Sequence, residues 1–259
     1  MARQATIRRP VEAVGRSRLR QLRSRLKLRP APAGTGVLLR RTDVGSCVAA
    51  SLEFASCGGG PLVLGRAPRQ VEGAEQLLAA LVATGITDLV VELDTPELPY
   101  FDGSMGPYLD LVHEAGLQVG PDIVPALEVA FPVRVENGTG WLELRPAERL
   151  RLEVWGAWPG GSAGAPAVRF EVSARSTAAV ASPARWSPTG RDARLFRQRR
   201  ARQGSPFASE SLRHGAVQLL GCLALAGRPL RAEVAALQPT PALAVAGLRA
   251  LAAEAVVGL

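Results

Sequence analysis

The sequence predicts an α+β protein built of two similar domains, each a β-sheet with helices. Two observations support this fold class. Segments in which apolar and polar residues alternate, as in half-buried strands, are followed by segments with apolar residues at helical spacing. This succession occurs twice, before and after a Gly-Pro-Asp stretch at residues 120–122 that we interpret as a linker. We therefore place the first domain at residues 1–120 and the second at residues 121–259.

The first segment, residues 1–30, is strongly basic. It holds nine Arg and one Lys against a single Glu, so it carries +9, whereas the whole chain carries +8. Residues that alternate with the cations predict one buried strand face: Leu22, Ser24, Leu26 and Leu28. The strand interpretation leaves the cations in water. An arginine-rich transit peptide is the alternative interpretation of this segment.

The rest of the first domain is predicted from spacing and turn residues. The expected elements are a strand at Val37–Leu39, a helix at Glu72–Thr84, a strand at Asp88–Leu93 and a helix at Pro107–Glu114. Gly85 directly follows the first helix, where a left-handed glycine commonly ends a helix, and Gly116 closes the second. Gly85 is therefore predicted to take a positive φ angle.

The second domain begins with a predicted hairpin. An Asn-Gly pair between two alternating runs is a strong hairpin signal, and here it stands at residues 137–138. The expected elements are strands at Phe131–Glu136, Trp141–Arg145 and Leu150–Trp155, and helices at Ser211–Ala226 and Ala242–Val256. Residues 156–190 give no clear pattern, and residues 191–202 form an arginine-rich run.

Composition excludes several classes of protein. The chain is 47% hydrophobic and 21% charged, which is typical of a globular protein rather than a disordered one. No apolar run is long enough to cross a membrane without interruption. The three cysteines show no C-x-x-C spacing, which suits a reducing compartment, so we expect a cytoplasmic protein. With only two histidines, His113 and His214, a site of three imidazoles is impossible within one chain.

Several motifs, in a consistent order, resemble one known family. They include the stretches 28–36, 40–43, 75–81, 85–92, 96–99, 101–104 and 213–214. These motifs resemble the zinc-dependent UDP-3-O-acyl-N-acetylglucosamine deacetylases of lipid A biosynthesis, the LpxC family. The resemblance covers about Thr6–Glu153 and Ser205–Leu251. It implies two α+β domains packed helix layer against helix layer, with the active site at their junction. It also implies a first strand at Thr6–Ala13, which argues against the transit peptide.

The resemblance implies a mechanism for which this chain lacks most of the groups. In the family, two His and one Asp hold a catalytic zinc ion, a Glu takes a proton from water, and a further His supports the leaving amine. Glu75 stands at the general-base position and His214 at one ligand position. Gln76 and Gln218 replace the other two ligands, and Pro241 replaces the further His. A neutral amide is a poor zinc ligand.

Two other family segments are also altered. The family's Gly-Leu-His-Ser-Gly loop reads Ser17-Arg18-Leu19-Arg20-Gln21, and the lysine that follows the ligand histidine is Gly215. The family's Ala-Arg-Thr-Phe-Gly survives only as residues 193–197, and the segment after it is short. We therefore expect no cofactor, and zinc only if the site has been rebuilt.

Three functions compete at this stage. The first is a non-catalytic homologue that binds a sugar-nucleotide or acyl ligand, or that regulates or scaffolds a protein partner. Its candidate partner surfaces are the basic patches at residues 16–29 and 191–202, unless these are ordinary solvated charge. The second is a residual deacetylase that uses Glu75 and His214. If neither is functional, Glu75 is a helix-surface carboxylate and His214 a partly buried polar residue. The third is an arginine-rich binder of acidic surfaces or nucleic acid. Only 5% of residues are aromatic, which argues against a surface on which bases could stack.

Overall fold

The computed structural model describes residues 2–58, 60–138, 140–156, 167–173 and 206–257. In these residues two mixed sheets and their helices form the α+β architecture that the sequence predicts. The basic run at residues 191–202 and the motif at residues 193–197 lie outside the described residues.

The first half of the chain contains a main sheet, a small sheet, a strand pair and two helices. Its elements are β1 (Ala2–Ile7), β2 (Val11–Arg16), β3 (Arg23–Pro30), β4 (Val37–Arg41), β5 (Ser46–Ala49), β6 (Ala55–Ser56), β7 (Val63–Leu64), β8 (Val71–Glu72), α1 (Glu75–Thr84), β9 (Leu89–Leu93), α2 (Gly106–Ala115) and β10 (Leu117–Val124). The main sheet has the order β2-β3-β9-β4-β5, with β9 parallel to β4 and antiparallel to β3.

The basic N-terminal segment is part of this fold. Ser24, Leu26 and Leu28 are fully buried along β3, as the alternation predicts. Leu22 is 42% exposed because it precedes the strand. The single first strand expected at Thr6–Ala13 is wrong: the chain turns at residues 8–10, so β1 pairs with β10 and β2 pairs with β3.

Helix α1 is buried along most of its length and begins later than its sequence predicts. Glu72 still belongs to β8, and Gly73 has a φ of +72°, so the helix starts only at Glu75. At the other end, Gly85 has a φ of +73° and its N–H donates to the carbonyls of Leu81 and Val82. The predicted glycine stop is therefore confirmed.

The prediction that residues 120–122 form a linker is wrong, because these residues adopt a strand conformation. These residues lie within β10, which pairs antiparallel with β1. The sequence suggested a break because it holds Gly and Pro, but proline is tolerated on an edge strand. In the described residues β10 pairs only with β1, so its other edge is open.

The second half forms a second sheet with two helices. Its elements are β11 (Leu127–Glu128), β12 (Val133–Asn137), β13 (Gly140–Pro146), β14 (Arg151–Trp155), β15 (Ala167–Glu171), α3 (Pro206–Leu223), β16 (Leu230–Leu237) and α4 (Pro241–Val257). The order is β12-β13-β16-β14-β15, and β11 also pairs with β16. The predicted hairpin is confirmed, with Asn137 opposite Gly140. Strand β16, at the centre of the sheet, was not predicted.

The helices of the two halves face each other. Helix α1 packs against α3, and α3 also packs against α4. A Cβ atom built on Gly221 of α3 would lie 2.0 Å from the carbonyl oxygen of Glu75, so only glycine permits this approach. In the described part of the chain, no helix combines the length and apolarity needed to span a bilayer.

Candidate functional site

Glu75 lies at the first turn of α1 and is 1% exposed. Its Oε1 accepts a hydrogen bond of 2.7 Å from the backbone N–H of Leu62. Burial raises the pKa of the Glu75 carboxyl, while the Leu62 N–H and the positive charge of Arg18 oppose that rise. The alternative that Glu75 is a helix-surface carboxylate is therefore wrong. It is an interior carboxyl group.

His214 lies on α3 and is 5% exposed. Burial, followed by the nearby charge of Arg18, lowers the pKa of its imidazole to about 4. A hydrogen bond with the backbone of Gly103 acts in the opposite direction. The imidazole is therefore neutral at pH 7. His214 is more deeply buried than the partly buried residue that the sequence suggested, and it does bond to a neighbour.

Arg18 connects these two groups. Its charge acts on the pKa of both Glu75 and His214, so the guanidinium lies within electrostatic range of the two groups. The guanidinium carbon lies 5.3 Å from the centroid of the Tyr100 ring, in cation–π range. Its Nε is buried and has no hydrogen-bond partner among the described residues. We call this group of four the Arg18 cluster: Arg18, Glu75, Tyr100 and His214.

The loop that carries Arg18 is anchored by a distant carboxylate. Glu97, only 3% exposed, accepts hydrogen bonds from the backbone N–H groups of Leu19, at 2.7 Å, and Arg20, at 3.1 Å. Ser17 closes the loop, since its Oγ accepts from the N–H of Leu22 at 3.1 Å. These bonds fix the backbone on both sides of Arg18.

The three substituted family positions lie on α1, α3 and α4. Gln76 is 7% exposed and follows Glu75 on α1. Gln218 lies one turn after His214 on α3, so both occupy the same face of that helix. Pro241 is the first residue of α4. The structure thus brings Glu75 and His214 into one cluster through Arg18 and places the substituted residues on the three helices that pack together.

These residues do not fit a catalytic zinc ion. In the described part of the chain, no group of three or more His, Cys, Asp or Glu side chains is placed to hold a metal. The family positions offer one imidazole, two neutral amides and a proline, whereas zinc takes imidazole, thiolate or carboxylate ligands. The positive charge of Arg18 acts on His214, so it also opposes the binding of a metal cation to that imidazole.

Sequence reasoning missed the role of Arg18 and of the residues that position it. Arg18 stands at the leucine of the family's Gly-Leu-His-Ser-Gly loop, and that replacement of an apolar residue by a cation was the available signal. The anchoring by Glu97 and the ring of Tyr100 depend on contacts across about 80 residues of chain, which no local pattern reveals.

Three of the seven cations in the basic patch at residues 16–29 pair with acidic residues. Arg20 binds Glu72 at 2.6 Å, and Arg29 binds Glu92 at 2.7 Å. Lys27 lies 3.8 Å from Glu12. This patch is therefore interrupted by ion pairs and is not a continuous cationic surface.

Comparison with known proteins gives a consistent result. A family model described as UDP-3-O-acyl N-acetylglycosamine deacetylase (LpxC) matches residues 4–206. Relatives named UDP-3-O-acyl-N-acetylglucosamine deacetylase are 34% identical over 156 residues in Aliivibrio fischeri and in Vibrio cholerae, and 31% identical over 156 residues in Shewanella frigidimarina. These matches cover 58–59% of this chain and 50–51% of the relatives. The chain thus spans about half the length of the curated relatives it matches.

Proposed function

Because the chain belongs to the UDP-3-O-acyl-N-acetylglucosamine deacetylase (LpxC) family, we propose that it is a non-catalytic homologue of the lipid A pathway deacetylase. Its cleft binds a ligand without hydrolysing it. One observation carries this proposal: the guanidinium of Arg18, on a loop anchored by Glu97, lies within electrostatic range of both retained family residues, Glu75 and His214. A cation built into the protein takes the electrostatic place of a metal ion without activating water.

The chemistry of amide hydrolysis supports the same conclusion. A metal-dependent deacetylase lowers the pKa of a bound water and polarises the substrate carbonyl. The guanidinium of Arg18 can bind an anion, but it has no vacant coordination position at which a water molecule could be activated. Glu75 alone can accept a proton, yet its carboxyl is buried and already bonded to Leu62. General base catalysis without an activated nucleophile leaves most of the barrier in place.

The ligand and the cellular role follow from the family. A sugar-nucleotide or an acyl chain is the class of ligand that we propose for the cleft, with regulation or scaffolding of a protein partner as the outcome. We place the cleft at the junction of two domains, residues 1–120 and 121–259, and the protein in the cytoplasm. The described cysteines are free thiols, which supports a reducing compartment.

The test is an assay of acetate release from a UDP-3-O-acyl-N-acetylglucosamine substrate, with and without added zinc. We expect no release above background at high protein concentration. Glu75→Gln and His214→Ala are the matched variants, and both should behave like the unmodified protein. Zinc-dependent release of acetate that both variants lose would overturn the proposal.

A residual deacetylase remains the second candidate. The observation that favours it is the retention of Glu75 and His214 in one buried cluster. The same assay decides between the two. An arginine-rich binder of acidic surfaces has less support, because three of the seven cations in residues 16–29 already have acidic partners.

A further inference from the structure

Arg18 differs from the arginines on either side of it. Arg16 donates to the carbonyl of Gln21 at 3.2 Å, and Arg20 forms a salt bridge of 2.6 Å with Glu72. Both are exposed. Arg18 is half-buried, and among the described residues its buried Nε has no hydrogen-bond partner. A buried donor without a partner costs about 1–3 kcal/mol, so this site is incomplete without a further acceptor.

The surroundings of Arg18 leave its charge available. Tyr100 faces the guanidinium with its ring and carries no negative charge that would pair with it. Glu75 lies within electrostatic range but forms no salt bridge with Arg18 in the described part of the chain, and its Oε1 is bonded to Leu62. Within the described residues no carboxylate pairs with Arg18, so a bound anion can supply the complementary charge.

The loop is also organised before any ligand arrives. Glu97 holds two of its backbone N–H groups, and Gln21 keeps a φ of +54° at the position of the family's glycine. Gln21 also donates from Nε2 to the carbonyl of Arg18 at 2.8 Å. Because the backbone is fixed, little conformational entropy is lost when Arg18 binds a partner.

We propose that Arg18 makes the cleft a binding site for a ligand that bears an oxyanion, either a carboxylate or a phosphate. The planar guanidinium offers parallel donors that match both groups. This inference rests on the proposed function, since it names the chemistry that a non-catalytic cleft recognises. The cation comes from the protein itself, so the site binds its anion without a metal.

The test measures binding of inorganic phosphate and of acetate by isothermal titration calorimetry at constant ionic strength. Saturable binding of at least one anion is expected, and the tighter of the two identifies the ligand class. Arg18→Leu should weaken that binding at least tenfold. Arg23→Leu is the matched control, because Arg23 is an exposed cation five residues away, and it should change binding less than twofold.

A second measurement needs no variant and locates the site. The chain has two histidines, so their imidazole NMR signals are readily assigned. At fixed pH, the anion should shift the signals of His214, which lies beside Arg18, and leave those of the exposed His113 in place.

The inference is overturned if neither anion binds saturably, if Arg18→Leu binds as well as the unmodified protein, or if His113 responds and His214 does not. Should Arg18→Leu fail to fold, the histidine signals of the unmodified protein still decide. Zinc-dependent acetate release would overturn the proposed function whatever the anion does. A metal-free, inactive protein that binds no anion would overturn only this inference.

Discussion

His214 is the residue whose environment has the clearest effect on the free energy of unfolding. Burial and the charge of Arg18 lower the pKa of His214 from 6.5 to about 4 in the folded protein. In the unfolded chain the imidazole regains its ordinary pKa. Between these two values the unfolded state binds more protons than the folded state, so acid favours unfolding.

The first prediction concerns the pH dependence of stability. Above pH 6.5 the imidazole is neutral in both states and has no effect. As the pH falls towards 4, it should reduce the free energy of unfolding by about 3 kcal/mol. Urea unfolding across this range should show a shallower pH dependence in His214→Asn than in the unmodified protein. His113→Asn is the control and should keep the full dependence; an equal slope in all three proteins would contradict the buried imidazole.

The second prediction concerns the buried carboxyl of Glu75. Burial raises the pKa of Glu75 above its ordinary value of 4.5. Its contribution to the free energy of unfolding is therefore complete below pH 4.5, and it is lost as the pH rises through the pKa of the folded state. Glu75→Gln keeps an acceptor for the Leu62 N–H and removes the buried charge, so its stability at pH 8 should equal or exceed that of the unmodified protein.

Glu75→Ala serves as the contrast to Glu75→Gln. It leaves the Leu62 N–H unsatisfied and should lower the free energy of unfolding by about 1–3 kcal/mol. Chemical denaturation at pH 8 measures both variants. A Gln variant as unstable as the Ala variant would show that Glu75 needs its charge in the folded state.

At the scale of elements, the contact between α1 and α3 sets how closely the two helices that carry Glu75 and His214 approach each other. Gly221 brings the backbone of α3 directly against the carbonyl of Glu75. His214 is seven residues earlier, which is two helical turns along the same face of α3. A change in the helix spacing should therefore disturb the whole Arg18 cluster.

The third prediction tests that contact with two glycines of one helix. Gly221→Ala should destabilise the protein by about 2 kcal/mol or more, because the added methyl group meets a backbone carbonyl that has no room to move. Gly215→Ala should be neutral or stabilising by up to about 1 kcal/mol, because the nearest atom is Pro239 Cγ at 3.6 Å and alanine favours the helix. Thermal unfolding of both variants measures the difference, and equal effects would contradict the close approach.

The elements also show how far local patterns predict the structure. The helix end at Gly85 and the hairpin at Asn137 were predictable because a few adjacent residues dictate the backbone there. Strand β16 was missed because its alternation is short: Val234, Ala235 and Ala236 are consecutive buried residues in the centre of the sheet. Strand β10 was missed because Gly120 and Pro121 are usual in loops, yet its pairing with β1 overrides that preference.

At the scale of the whole molecule, the fold class followed from the repeated succession of strands and helices. The retained and substituted site residues followed from the resemblance to the family. The Arg18 cluster did not, because its formation depends on Glu97 holding a loop that lies about 78 positions earlier in the chain. We continue to propose that the chain divides near residue 120, although β10 joins back to β1 across that point.

We propose that this member of the family functions without a catalytic metal. Elemental analysis of protein produced with added zinc and then dialysed against metal-free buffer tests this proposal. We expect zinc far below one ion per chain, with no change in His214→Ala. One zinc ion per chain, lost in His214→Ala, would show that the protein is a zinc protein.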